Sequence, residues 1–172
     1  MRKPKQVLVF LYRKNKNNEY EYCIFYRKKL QVWQAISGGV EDDETLIETV
    51  KREVFEETGI EANDIFELSS VSSIPVVNIT GKFSWGNDVY VVTEHSFGVF
   101  TENSDIKLSS EHKQYEWFTF DEAYEKLEFD SNKTALWELN QRLLNSDLNR
   151  FWRCFMNHVE FINEAYTKDE SK

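Results

Sequence analysis

The chain has 172 residues, 41% hydrophobic and 30% charged, a balance that favours one globular domain over a disordered chain. Its 30 acidic and 21 basic residues leave a net charge of −9, which argues against non-specific binding to nucleic acid. The apolar run near the N-terminus is too short for a signal segment or a membrane span. We therefore expect a soluble, cytoplasmic protein with no membrane or nucleic-acid partner.

Residues 6–39 are predicted to form three strands followed by a short glycine-containing loop. Residues 6–12 and 20–27 are predicted strands joined by a polar hairpin, and residues 31–36 form a third, short strand. The glycines at 38 and 39, after Ser37, interrupt this pattern, and we predict a short loop there.

After the glycines, the sequence predicts both helices and strands. Acidic residues open a predicted helix over residues 44–58, and Gly59 is its predicted C-cap. Strands follow near 65–72, 88–100 and 115–120, then a helix over 122–127 capped by Asp121, and a helix over 132–145. Strands followed by helices predict an α+β fold or a three-layer α/β/α sandwich.

An apolar seam marks the C-terminal segment, about residues 148–166. Its members recur at spacings of three and four: Leu148, Trp152, Phe155, Val159, Ile162 and Tyr166. We predict a domain over residues 1–147, with residues 148–172 forming a helix and a short polar tail within or packed on that domain. The seam could alternatively form a dimer contact, so both a monomer and a homodimer remain open.

The two cysteines, Cys23 and Cys154, have no CxxC partner and no neighbouring histidine cluster. This spacing argues against a zinc site or a redox pair. We interpret both as reduced, buried thiols of a cytoplasmic protein.

Three glutamates of the first predicted helix suggest a metal site. Glu53, Glu56 and Glu57 share an arc of about 100° on the helix surface, so their carboxylates repel one another or recruit a cation. Mg²⁺ is the natural cation for such all-oxygen ligands, with Mn²⁺ as an alternative. A solvated helix face is the competing interpretation. However, Glu57 falls beside the apolar arc of the helix, whereas Glu48 falls on the far side.

Arg52 and the glycines flank this cluster. Arg52 precedes Glu53 and lies four residues before Glu56, so it could orient both carboxylates by charge-assisted hydrogen bonds. Glycines before a helix allow a phosphate to approach the backbone closely, although a glycine turn is also a common structural feature.

Together these residues resemble the Nudix box, G-x5-E-x7-R-E-U-x-E-E-x-G-U, in which U is aliphatic. Its nine constrained positions are filled by Gly38, Glu44, Arg52, Glu53, Val54, Glu56, Glu57, Gly59 and Ile60. From average residue usage, a chance match at one start point has a probability on the order of 10⁻⁹.

The resemblance implies a Nudix fold, with a mixed sheet between helices and the box forming a loop–helix–loop. It also implies hydrolysis of a nucleoside diphosphate linked to another group by divalent cations. Glu53, Glu56 and Glu57 are then the expected metal ligands, and Glu53 is a candidate for activating water. Gly38 is expected to offer its carbonyl to a metal, and Arg52 to act in support of the catalytic glutamates, together with Glu44.

Beyond the box, residues 2–145 are similar in order and spacing to the dihydroneopterin triphosphate and dATP pyrophosphohydrolases of this superfamily. In that group a glutamate after the last long strand can join the metal site. Glu111 is the matching position and Glu94 a second candidate, here also regarded as a substrate contact. Each could equally be a solvated carboxylate. His95 and His112, which follow them, are interpreted as structural.

The segment before the box is where resembling proteins place substrate contacts. Arg27 or Lys28 could contact phosphate, and Trp33 could stack on a base or a pterin. The alternatives are a surface charge pair and a core tryptophan.

Three functions follow. The preferred one is a nucleoside or pterin triphosphate pyrophosphohydrolase that releases pyrophosphate from a small nucleotide or pterin phosphate. The second is another Nudix diphosphatase acting on ADP-ribose or a dinucleotide, for which Pro75, sixteen residues after Gly59, is a weak signal. The third is a binding module without catalysis, whose usual mark is a degraded box, and this box is intact.

Overall fold

A computed structural model describes residues 3–41, 43–80, 85–103 and 105–148. Within these ranges the chain forms seven strands and four helices. The strands are β1 (Lys5–Lys14), β2 (Tyr20–Arg27), β3 (Val32–Gln34), β4 (Ile36–Gly39), β5 (Asp64–Pro75), β6 (Val91–Phe100) and β7 (His112–Phe118). The helices are α1 (Leu46–Thr58), α2 (Val76–Thr80), α3 (Phe120–Lys126) and α4 (Asp130–Leu144).

β1 organises a mixed sheet. One edge of β1 pairs in parallel with β6, which pairs in turn with the antiparallel strand β5. The other edge is divided between two antiparallel partners, β4 along Gln6–Val9 and β2 along Leu11–Lys14. β3 and β7 then flank β2. This arrangement confirms the predicted mixed sheet.

The strand β4 corrects the sequence prediction. Ser37, Gly38 and Gly39 were predicted as a loop, but they pair in register with Leu8, Val7 and Gln6 of β1. Two adjacent glycines weaken a strand locally. Here the hydrogen bonds to the buried central strand β1 hold the glycines in a strand.

The two faces of the sheet are covered by different helices. Val7 and Val9 of β1 share a buried cluster with Val50 and Val54 of α1. Side chains alternate along a strand, and Gly98 of β6 meets Leu139 of α4 on the opposite face. The three predicted layers, α/β/α, are therefore present.

The helix boundaries follow capping chemistry. Thr45 caps α1 through a reciprocal capping box with Glu48, so the helix begins at Leu46, two residues later than predicted. Gly59 is the left-handed C-cap that was predicted. The predicted cap at Asp121 is wrong. Thr119 occupies the N-cap of α3, where its backbone N–H and its hydroxyl both donate to the Glu122 carboxylate.

By packing, the chain divides into two compact units, Met1–Asn140 and Gln141–Lys172. In the second unit the described residues end at 148, where Asp147 accepts a long ion pair from Arg142 at 3.8 Å. The predicted helix over 148–166 and Cys154 lie outside the described residues, and the predicted domain division stays a prediction. Cys23 is fully buried, and burial raises the pKa of its thiol. None of the described helices is long and apolar enough to span a membrane.

Candidate active site

The helix α1 presents its glutamates at the border of the core. Glu53 and Glu57 are each only 7% exposed, whereas the Glu56 side chain is 56% exposed. Val50 and Val54, which precede them by a turn or less, are completely buried. Two carboxylates are thus held in a setting where an ionised group needs a compensating positive charge.

Arg52 donates hydrogen bonds to four other residues of the box. Its guanidinium donates to Glu44 at 2.6 Å and 2.9 Å, to Glu53 at 2.7 Å, to Glu56 at 3.3 Å and to the Gly39 carbonyl at 3.0 Å. These hydrogen bonds lower the pKa of Glu44 to about 2 and keep its carboxyl ionised. Arg52 therefore connects the segment before α1, strand β4 and the glutamates of the helix.

Gly38 allows a close approach that no other residue could. A Cβ atom built on Gly38 would lie 1.8 Å from the carboxyl carbon of Glu53. The Glu53 carboxylate consequently rests directly on the backbone of β4. This contact brings the Gly38 backbone beside the helix carboxylates, as the box resemblance implies.

Glu57 carries an unsatisfied oxygen. Its Oε2 atom is buried without a hydrogen-bond partner among the described residues, and the Nδ1 atom of His112 lies 3.6 Å away. Burial raises the pKa of Glu57 to about 8, and Glu53 adds to the rise. Burial also lowers the pKa of His112 to about 4, so this ring is neutral near neutral pH.

Glu111 lies beside the basic end of β2. Its carboxylate, 59% exposed, pairs with Arg27 at 3.1 Å, and its carbonyl accepts from the backbone of Lys28. The Lys28 ammonium donates to the Ser110 carbonyl at 3.0 Å. The structure thus brings together three predicted site residues, Arg27, Lys28 and Glu111. The positive charge of Arg27 also partly offsets the rise in the pKa of Glu57.

The residues present fit a divalent cation, although no three acidic, histidine or cysteine side chains among the described residues stand in ligand geometry. Glu53 and Glu56 are engaged by Arg52. The unpartnered Oε2 of Glu57 and the Glu53 carboxylate, held against the Gly38 backbone, are the groups that a bound cation would contact. An all-oxygen donor set suits a hard cation such as Mg²⁺.

A cleft of about 780 Å³ adjoins these residues. Gly38, Gly39 and Arg27 belong both to the cleft wall and to the surroundings of the glutamates. A ligand in the cleft could therefore extend across the glycine strand toward α1. Glycine backbone at that point lets a phosphate chain pass closely.

Two predicted substrate contacts have different surroundings. Glu94 lies in the cleft wall, 3% exposed, and accepts from the Gln6 amide at 2.5 Å; burial raises its pKa. Trp33 packs edge-on against Tyr26 and Phe118 and does not occur among the described residues that line the cleft.

Several cleft residues were not expected from the sequence. Gln6, Gln34 and Asn132 line it, and Asn132 also accepts from the buried Ala35 amide at 2.9 Å. Their only sequence signal is a polar residue within an otherwise apolar strand or at the start of a helix. His112 was read as structural, and its ring does pack on Phe25, but it also stands next to Glu57.

Comparison with known proteins identifies the family. The NUDIX domain model matches residues 2–137. A solved protein of Listeria monocytogenes, described as a candidate NUDIX hydrolase, is 41% identical with a TM-score of 0.75, covering 85% of this chain and 98% of that one.

Two curated relatives have named activities. The rat bis(5'-nucleosyl)-tetraphosphatase [asymmetrical] is 32% identical over 66% of this chain and 74% of its own length. The dihydroneopterin triphosphate diphosphatase of Haemophilus influenzae is 23% identical over 74% of this chain and 90% of its own length. With its intact box and three-layer fold, the chain belongs to the NUDIX family of diphosphate-cleaving hydrolases.

Proposed function

We propose that this protein uses divalent cations, Mg²⁺ foremost, to hydrolyse a phosphoanhydride bond in a small nucleotide-like substrate. The observation that carries the proposal is the buried carboxylate of Glu57, unpartnered at Oε2, beside Glu53 on the Gly38 backbone. Such a pair of buried carboxylates is costly unless it binds a cation. The adjoining cleft supplies room for the rest of the substrate.

Glu53, Glu56 and Glu57 would hold the cations, with the Gly38 carbonyl and Glu111 as further candidate ligands. Bound cations would neutralise negative charge on the phosphates and would lower the pKa of bound water toward neutrality. Glu111 is now paired with Arg27, so its participation requires that ion pair to open or to be shared. Arg52 orients the glutamates through its hydrogen bonds, and Glu53 is the candidate for accepting the proton of the attacking water.

Arg27 lines the cleft and Lys28 is the next residue in the chain, and we assign both to the phosphate chain. Arg27 both lines the cleft and influences Glu57 electrostatically. A guanidinium offers several N–H donors to phosphate oxygens at once. A substrate ring would then lie farther along the cleft, with in-line attack at the phosphorus near α1.

A nucleoside or pterin triphosphate, cleaved to the monophosphate and pyrophosphate, is the first substrate class. The likeness to dihydroneopterin triphosphate diphosphatase supports it. A dinucleoside polyphosphate is the second class, favoured by the higher identity to the rat tetraphosphatase. ADP-ribose is the third, and its only support is Pro75, which lines the cleft at the end of β5.

A substrate panel at millimolar Mg²⁺ tests these classes together. It contains dATP, dGTP, dihydroneopterin triphosphate, diadenosine tetraphosphate and ADP-ribose, with the phosphate-containing products separated. Pyrophosphate from one triphosphate supports the first class. ATP and AMP from diadenosine tetraphosphate support the second, and AMP from ADP-ribose supports the third. No turnover of any phosphoanhydride with Mg²⁺ or Mn²⁺ contradicts the proposal.

A further inference from the structure

Glu94 is a buried carboxylate in the wall of the cleft. It stands in one row of the sheet with Gly39, Gln6 and Ser72, which are register neighbours across β4, β1, β6 and β5. All four line the cleft. The row begins at the glycine strand beside the helix glutamates and runs outward, so Glu94 lies on the path of a ligand that extends from them.

One oxygen of Glu94 lacks a donor. Oε2 accepts from the Gln6 amide at 2.5 Å, and the Ser131 hydroxyl lies close enough to the carboxylate to offset part of the pKa rise that burial causes. The buried Oε1 nevertheless has no partner in hydrogen-bond geometry among the described residues. The neighbouring side-chain amides donate elsewhere, Asn132 to the Ser131 hydroxyl and Gln34 to the Ser37 hydroxyl, each at 3.4 Å. A buried acceptor left unsatisfied is costly, and this cost favours a ligand that brings an N–H donor.

The surrounding walls suit a flat ring. Apolar side chains from several elements line the cleft around this polar row: Leu8, Leu30, Ile74, Pro75, Ile79 and Phe129. Polar side chains contribute about as much of the lining, and a cleft that combines apolar walls with placed polar groups is typical of sites that bind heterocycles. The hydroxyls of a sugar could also donate to Glu94, but the apolar side chains of the cleft would then face the polar surface of the sugar.

We propose that Glu94 selects the heterocycle of the substrate by accepting hydrogen bonds from adjacent ring N–H and amino groups, the edge shared by guanine and pterin. The proposal rests on the proposed function for the phosphate end of the substrate. Each carboxylate oxygen has two acceptor positions, so Oε2 can keep Gln6 while both oxygens face a donor. Adenine sets its amino group beside a ring nitrogen that is itself an acceptor, and the carboxylate repels that nitrogen.

The test compares binding of GMP and AMP to the full chain by calorimetry, without hydrolysis. We expect the wild type to prefer GMP by about 10-fold to 100-fold, as for a two-point contact to a base edge. Glu94→Gln replaces one acceptor with a donor at constant shape and should bring this preference to near unity. Glu94→Asp, which withdraws the carboxylate by one methylene, should give an intermediate preference.

Glu116→Gln is the matched control, since it removes one negative charge from an exposed position of β7. It should leave the preference for GMP unchanged. Equal affinity of the wild type for GMP and AMP overturns the assignment, and so does a preference that both Glu94 variants retain. Because the readout is binding, failure of the substrate panel with an intact, Glu94-dependent GMP preference would reject hydrolysis and leave the assignment standing.

Discussion

Arg52 links residues from three parts of the box: Glu44 before the helix, Glu53 and Glu56 within it, and the Gly39 carbonyl on β4. The spacing of Arg52 to Glu53 and Glu56 predicted part of this network, because neighbours on a helix surface are fixed by its period. The bond to Gly39 spans the turn between strand and helix. It could not be predicted without knowing that Gly39 belongs to a strand.

The Arg52–Glu44 pair predicts a pH dependence of stability. The pKa of Glu44 is lowered to about 2 in the folded chain, below its ordinary value of 4.5. Its contribution is therefore complete above about pH 4.5 and disappears as the pH falls toward 2. Glu44→Gln should lower the free energy of unfolding near neutral pH by about 1–2 kcal/mol.

Urea unfolding at successive pH values measures this contribution. The difference between Glu44→Gln and wild type should vanish toward about pH 2. A difference that stays constant across the acid range would show that the ionised pair contributes nothing.

At the scale of elements, β4 and α1 position the site as one unit. The helix was predictable, since its periodicity, its acidic start and the Gly59 cap are all local signals. The strand was not predictable, because Ser37–Gly39 owe their order to pairing with β1, some thirty residues earlier in the chain. The contact between Gln6 and Glu94, which are 88 residues apart in the chain, could not be predicted for the same reason.

Gly38→Ala tests the close approach of β4 to α1. Its methyl carbon would fall 1.8 Å from the Glu53 carboxyl carbon, so either the strand or the glutamate must move. We expect turnover to fall at least about 100-fold, because a displacement of about 1 Å at a reacting site has an effect of this order. Circular dichroism and the thermal midpoint show whether the fold persists. Wild-type turnover in a folded Gly38→Ala protein would refute the positioning role of this contact.

At the scale of the whole molecule, the proposed function requires an acidic protein with a net charge of −9 to bind a polyanion. Cations held by the box glutamates would reconcile these charges, and Arg27 and Lys28 at the basic end of β2 would add to them. The overall composition argued against a nucleic-acid partner but named no substrate. The fold likewise limits the reaction class, while the cleft residues, drawn from distant segments, determine what is recognised.

The central claim is that the buried box glutamates bind the cations for hydrolysis. The most direct test is to measure turnover of the best panel substrate by the Glu57→Gln variant. Burial raises the pKa of Glu57 to about 8 in the metal-free fold, so a neutral amide should not lower stability near neutral pH. We predict a folded protein with turnover reduced at least about 100-fold. Glu48→Gln is the matched control on the same helix, exposed and able to keep its capping bond as glutamine, and should retain activity. Undiminished turnover in Glu57→Gln would contradict the account.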